Sequence, residues 1–456
     1  MKKSIKLLAL LLCAVFLLAS FTACGDAANK ADSVNSSTGV DESTQAGSVE
    51  APADKAAEKI TLKYMNWEPA NKDNEIANII RPFEQKFPNV TIDFQPMPWD
   101  SYWKKIQVMA STDELPDVFW MSIASNWEYA YKGVIKNLSP IIENDPETKG
   151  LTNYLPKFFD QVKYPDANGD IFSMPYAWVC SLLFYNKTMF DAAGVTYPTE
   201  EWTWDDLKAS AVKLTKGEGA KKQFGFLSSS VWDTMDQYIS ANDGCILSED
   251  MKTSKLNEPV AVEGIQFFVD MIHKDKVSPT PADLKGMPAP FRSGKVAMQI
   301  GISASISDFR EINNFDWDVA MVPKSAKTGK RVVYGGADPI CISEKTKYED
   351  MAWEFVKYYS GPGRSLESFS GGKGTPYKPI AEDPNWLEAD KKPANKSLML
   401  KSADYIRGAD FGYKWSEWRA SIMQAELEPA FLGTKSVQEC ADTATKKIND
   451  ILAELN

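Results

Sequence analysis

The stretch "ITLKYMNWEPANKDNEIANIIRPFEQKFPNVTIDF", residues 60–94, decides the architecture. Residues 60–64 alternate apolar and polar side chains, the period of a strand. Ile76, Ile79, Ile80, Phe83 and Phe87 then recur at helical spacing, with Pro82 kinking or breaking that helix. Pro88 and Asn89 punctuate the chain, and Val90, Ile92 and Phe94 alternate as a second strand. Strand, helix and strand in this order predict a parallel, right-handed βαβ unit. A second unit follows, with Tyr102, Ile106 and Met109 on a helix and residues 117–121 as a strand.

Open α/β sheets bind ligands just beyond the carboxyl ends of their strands. Trp67 lies just past the first such end, between Asn66 and Glu68, where the chain should be turning to water. Trp120 lies near the end of the third strand. Two large rings at equivalent strand ends, each followed by polar loop residues, point to a shared crevice rather than to core packing alone.

The amino terminus reads as a targeting segment. Lys2, Lys3 and Lys6 precede the apolar run 7–21, which is too short to span a bilayer comfortably. Ala23-Cys24-Gly25 resembles the lipobox of bacterial lipoproteins, which implies a signal peptide over 1–23 and lipidation of Cys24, with palmitate among the acyl groups. Residues 24–59 then form a disordered tether, rich in Ser, Ala, Asp, Thr and Gly and unable to bury a core. Losing Lys2, Lys3 and Lys6 and no acid moves the formal charge from −11 to −14, which disfavours nucleic acid and anionic membrane surfaces as partners.

Several chemistries fall away. The single histidine, His273, sits in "DMIHKDK" at the charged end of a helix and is expected to be solvated. One histidine excludes a multi-histidine metal site and leaves no promising Ser-His-Asp or Cys-His arrangement. Asp166, Asn168 and Asp170 have calcium-loop spacing, but Ile171 stands where such a loop needs Gly and Ala177 where it needs Glu. Asn168-Gly169 reads instead as a hairpin turn. Cys180, Cys245, Cys341 and Cys440 show no metal spacing and are expected to be free thiols, though disulfides stay open in this compartment. No cofactor or metal is expected. Among enzymes, only a glycan-processing activity using paired carboxylates survives as an alternative.

Further along, Thr203-Trp204-Asp205-Asp206 is a capping box opening a helix. Residues 261–272 and 351–359 read as helices, and 296–300 and 317–322 as strands. The order of motifs then resembles a family. "FEQKFPNVTIDF" (83–94), "LPDVFWM" (115–121), "MPYAWVCSLLFYNKTMF" (174–190), "TWDDL" (203–207), "FRSGKVAMQIG" (291–301), "YGGADPICIS" (334–343), "MAWEFVKYYSG" (351–361), "GTPYKP" (374–379) and the segment 414–450 resemble the family 1 extracellular solute-binding proteins. These are sugar-binding components of ABC importers related to maltose-binding protein.

The resemblance implies an α/β, two-lobe periplasmic-binding-protein-like fold of type II, closing like a hinge over one ligand, with several crossing segments. It implies lobe 1 over 60–177 plus 323–371 and lobe 2 over 178–322 plus 372–456, with crossings near 177–178, near 322–323 and before Pro376. It implies ligand contacts from Asn66, Trp67, Glu68, Trp120, Trp178, Trp232 and Trp415, while Trp103, Trp204, Trp317 and Trp353 are expected in the core. The function it implies is non-enzymatic: a monomer, lipid-anchored at the extracellular face of the cell membrane, that captures a carbohydrate, an oligosaccharide, and passes it to ABC permease subunits. After "AMQIG" the chain has Ile302-Ser303 where relatives often carry another Trp, so sugar size is not carried over. A pyranose has apolar faces for flat rings and a rim of hydroxyls for acids and amides, which suits this residue set. Polyamine and peptide ligands stay open, because Trp with acids also suits cations.

Overall fold

The computed structural model describes residues 58–164, 168–230, 232–369, 371–407 and 414–455. The expected targeting segment, Cys24, the expected tether up to residue 57 and Asp166 lie outside the described residues. Among the described residues no helix is long and apolar enough to cross a membrane.

The two βαβ units form as the sequence predicts. β1 (Ile60–Asn66) pairs in parallel with β2 (Val90–Pro96) from Ile60↔Val90 to Asn66↔Pro96, and with β3 (Val118–Trp120) at Tyr64↔Val118. Pro82 does not break the connecting helix. The turn Ile76–Ile80 widens into a π-helix, in which Arg81 N–H reaches the Ile76 carbonyl, and helix Arg81–Lys86 continues with the proline in its first turn. A missing N–H and a bulky ring are tolerated there because the wider turn relieves the ladder. Phe83, fully buried, packs edge-on against Phe355 of helix Glu349–Ser360, and Phe355 in turn meets Tyr64.

Two long strands carry the rest. β4 (Met174–Asn186) pairs antiparallel with β7 (Val333–Ile342) through its first half, and with β5 (Met298–Ile302) and β6 (Trp317–Ala320) through its second half. β7 also pairs antiparallel with β3 and, at its start, in parallel with β8 (Ile406–Arg407). The order β2-β1-β3-β7-β4-β5 therefore joins two groups of strands through β4 and β7. The expected strand at 296–300 sits two residues later. Residues 324–331 remain bonded to the second group: Lys324 pairs with Glu201 and Arg331 Nε donates to the Val322 carbonyl. The return passage runs along β7 itself.

A third passage, 371–375, lies across β4. Gly374 exchanges backbone hydrogen bonds with Trp178 (2.8 and 2.9 Å), and the Trp178 Nε1 donates to the Thr375 carbonyl at 3.2 Å. A Cβ at Gly374 would overlap the Trp178 indole, and one at Gly372 would overlap the Ser303 carbonyl. Only glycine lets these backbones come so close.

The Thr203 capping box is present, with Thr203 and Asp206 bonded reciprocally at the start of helix Trp204–Leu214. Trp204, Trp317 and Trp353 are buried, and Cys180, Cys245, Cys341 and Cys440 are thiols outside any disulfide. The bridge Lys163↔Ile171 closes the expected hairpin, whose turn lies partly outside the described residues. His273 departs from expectation: it is half-buried, and its Nε2 lies 2.9 Å from the Phe431 carbonyl, where a helix end packs on Gly433.

Replacing Gly374 by Val should cost about 1–3 kcal/mol, the usual range for overpacking, read as a lower midpoint in urea unfolding at unchanged slope. An unchanged midpoint would show that the 371–375 passage does not hold Trp178 as described.

Candidate ligand-binding site

A cavity of about 770 Å³ opens at the carboxyl ends of β1 and β2 and over the β4–β7 pairing. β1 ends by delivering Trp67 and Glu68 to its wall. β2 ends in Gln95-Pro96, and Met97-Pro98 then turns the chain into helix Trp99–Ser111. Trp99 and Trp103 are four residues apart, so they share one helix face, and both line the cavity. Trp67 meets Trp99 edge-on at 5.1 Å between centroids and lies near-parallel to Trp103 at 6.0 Å. Trp99 is 49% exposed, so a large ring stands in water on a turn that positions it.

The floor comes from the long strands. Side chains two apart on a strand share a face. Tyr334, Gly336 and Asp338 of β7 share the face towards the cavity, and Val179 of β4 is paired with Gly336. Tyr334 and Asp338 are the two β7 residues that are not fully buried, and Val179 is the one such residue of β4. Trp415, buried, adds a ring from the carboxyl-terminal segment.

Charge is concentrated around Lys373. Its Nζ forms an ion pair with Glu68 and stands 5.2 Å from the centre of the Trp120 ring. The passage that carries Lys373 is anchored from behind. Trp386 Nε1 donates to the Lys373 carbonyl at 3.0 Å, and Gly371 N–H donates to Glu388 at 2.9 Å. Glu388 also takes both arms of Arg310 (3.0 and 2.8 Å) and the ammonium of Lys396 (2.7 Å). Burial alone would raise its carboxyl, but these donors outweigh that and hold it well below the usual carboxylate range. Asp338 has the opposite balance: burial pushes its carboxyl up to about 6, aided by Glu68 and opposed by Lys373 and Arg364.

Of the residues expected at a site, Trp67, Glu68 and Trp415 line this cavity, and Asn66, Trp120 and Trp178 do not. Asn66 is buried: its Nδ2 donates to Tyr64 Oη at 3.3 Å and its Oδ1 accepts from Glu68 N–H at 3.1 Å. It shapes the turn that presents Trp67. Trp120 is also buried, directly behind Trp67 at 4.9 Å, stacked on Tyr176 at 4.7 Å, with Nε1 donating to Tyr359 Oη at 3.1 Å. Trp178 is buried between Phe158 and the 371–375 passage. Trp232 begins helix Trp232–Ala241, and its side chain lies outside the described residues.

Under Trp120 lies a polar layer. Tyr64 Oη donates to the buried Glu75 carboxylate at 2.8 Å, and Arg364 stands 4.8 Å from the Tyr359 ring and 5.1 Å from that of Tyr176. Burial raises the Glu75 carboxyl, and the Arg364 charge and the two tyrosine hydroxyls oppose the rise.

Trp99, Trp103, Tyr334 and Asp338 were missed as site residues. The signal for the first two was present: "PWDSYW" follows the end of β2, as Trp67 follows that of β1. Trp103, expected in the core, is half-buried and faces the cavity.

Residues 78–395 match the family of bacterial extracellular solute-binding proteins. A binding protein of Brucella abortus is 25% identical over 376 residues, covering 81% of this chain and 83% of its own. The fold is that of the Listeria monocytogenes ABC substrate-binding protein Lmo0181, solved in complex with cycloalternan, with a TM-score of 0.77 and 24% identity over 87% of this chain and all of that one. It is likewise that of UgpB from Mycobacterium tuberculosis in complex with glycerophosphocholine, with a TM-score of 0.74 and 18% identity over 87% of this chain and 99% of that one. These neighbours are two-lobe binding proteins, which is how strands joined through β4 and β7 are arranged. On this match the chain belongs to the bacterial extracellular solute-binding proteins, which bind solutes for transport and are not enzymes.

Proposed function

We propose that this protein is the substrate-binding component of an ABC importer, capturing a carbohydrate in the Trp67 cavity and handing it unchanged to permease subunits. The observation that carries this reading is the wall of Trp67, Trp99 and Trp103 standing over a floor that holds a carboxylate. Flat rings cover the apolar faces of a pyranose, and carboxylates and backbone groups take its hydroxyls. A volume of about 770 Å³ accommodates more than one sugar ring, in keeping with an oligosaccharide.

Among its relatives by fold, one was solved with cycloalternan and another with glycerophosphocholine. The charge of the lining favours the first class. Glu68, Asp100, Glu128 and Asp338 face Lys104 and Lys373, and no described arginine lines the cavity. A phosphodiester group would call for the opposite excess, whereas a choline cation would suit rings and acids, so the lining charge bears on the phosphate end of such a ligand.

The two lobes divide within β4, at the start of β7 and near 371–372, and a ligand touching both draws them together. Trp67, Glu68 and Trp415 contact the ligand. Asn66, Trp120 and Trp178 hold the residues that do, and Trp232 joins the site from the second lobe. The protein acts as a monomer. Cys24 carries the lipid that keeps it at the outer face of the membrane, on the tether 25–59.

Two substitutions separate ligand contact from support. Trp99→Ala should weaken the tightest-binding oligosaccharide at least tenfold, about 1.4 kcal/mol, and leave the melting temperature of the ligand-free chain unchanged. Trp120→Ala should instead destabilise the fold by about 3–5 kcal/mol. Titration and melting curves on both variants check this, and full affinity in Trp99→Ala would remove the exposed ring from the site. For the anchor, Cys24→Ala should abolish incorporation of labelled palmitate and release the protein from membranes into the medium. Membrane retention of that variant without label would place the anchor elsewhere.

A further inference from the structure

β7 presents one carboxylate to the cavity, that of Asp338, at a point where the strand is otherwise Gly335, Gly336 and Ala337. The small residues leave the floor open around it. Its backbone is committed to the pairing with Ala177 of β4, so the side chain is held in place by two long strands rather than by a loop. Among the described residues its carboxylate makes no hydrogen bond, although those of Asp318, Glu388 and Asp145, on other parts of the molecule, each accept several.

The charged and titratable groups around Asp338 come from four elements. Lys373 approaches on the 371–375 passage, Glu68 on the turn after β1, Arg364 from the segment after helix Glu349–Ser360, and Tyr176 from β4. Lys373 is paired with Glu68, and Arg364 lies against the rings of Tyr176, Tyr359 and Phe369. Attraction from the two cations does not offset burial, so the ionised form is disfavoured and the carboxyl rises to about 6. A half-buried carboxylate without donors works against the fold, and such groups are retained where a ligand supplies the donors.

We propose that Asp338 is the principal hydrogen-bond acceptor for the captured carbohydrate, taking adjacent hydroxyls of the sugar ring that lies on the cavity floor. The assignment rests on the carbohydrate reading of this cavity. It makes Asp338 a specificity determinant: hydroxyl donors are accepted, and an anionic substituent at that point meets Asp338 and Glu68 together. Hydroxyl donation favours the ionised carboxylate, so capture of the sugar releases a proton. With the free carboxyl near 6, about one molecule in ten is ionised at pH 5 and nearly all at pH 7.5, so affinity rises about tenfold between them.

The test is titration calorimetry of the full chain and of Asp338→Asn against maltotriose, cellotriose and xylotriose at pH 5.0 and 7.5, with ligand-free melting curves at pH 4.5 and 8. The expected result is a Kd about tenfold tighter at pH 7.5 in the wild type, and binding by Asp338→Asn that is at least tenfold weaker and flat with pH. Because the folded carboxyl lies above its unfolded value, its penalty is present above pH 6 and fades towards pH 4. Ligand-free Asp338→Asn should therefore melt about 2 °C higher than wild type at pH 8 and equally at pH 4.5. If a sugar binds and Asp338→Asn matches the wild type in affinity and pH profile, the assignment falls and the carbohydrate reading stands. If none of a wide range of sugars binds, both fall.

Discussion

Strand β4 is shared between two groups of strands, and the rest of the molecule depends on how that sharing is built. Its first half is bonded to β7 and through it to β3, β1 and β2, while its second half is bonded to β5 and β6. A strand in that position has no solvent face to spare, which is why twelve of its thirteen residues are buried. The exception, Val179, lies where the pairing changes over, and the cavity opens there. The 371–375 passage closes the same region, and its glycines set the distance between Trp178 and the segment that carries Lys373.

From that frame the site is held in layers. Trp67 stands on Trp120, Trp120 on Tyr176 and Tyr359, and those two against Arg364, with Glu75 bonded to Tyr64 beside them. Each layer fixes the rotamer of the one above, so the ring that faces the cavity is positioned before any ligand arrives. On the far side, Glu388 gathers Arg310, Lys396 and the Gly371 N–H and fixes the passage behind Lys373. The rigid supports are buried and heavily bonded, whereas Trp99 and Asp338 face open space with few partners. That division between support and contact is what a binding site requires.

Much of this was legible in the chain. The period-two runs and the helical run of residues 60–94 give β1, β2 and their parallel pairing, because local alternation determines which faces are buried. The rule that ligands meet strand ends found Trp67, and its application to β2 would have found Trp99 and Trp103. It placed Trp120 on the wrong side of the sheet end, since a strand's last residue points inwards or outwards according to register, and register with β7 is set more than two hundred residues away. Asn66 misled for a similar reason: an amide beside an exposed ring looks like a ligand donor, but its partners are the Tyr64 hydroxyl and the Glu68 N–H. Asp338 was invisible because a carboxylate's lack of donors is a property of the assembled structure and leaves no trace in the local sequence. Trp178, expected as a ligand contact, has a packing partner in Gly374 instead of a place in the cavity wall.

On the function proposed above, a neutral sugar, and not a phosphodiester, fills the Trp67 cavity. Direct competition measures it: an oligosaccharide and glycerophosphocholine, each titrated calorimetrically into the full chain, alone and in the presence of the other. A neutral oligosaccharide should bind at one site per chain and be recovered intact, and glycerophosphocholine should neither bind nor displace it. Tight binding of glycerophosphocholine, with no oligosaccharide able to displace it, would rule out a carbohydrate as the ligand of this cavity.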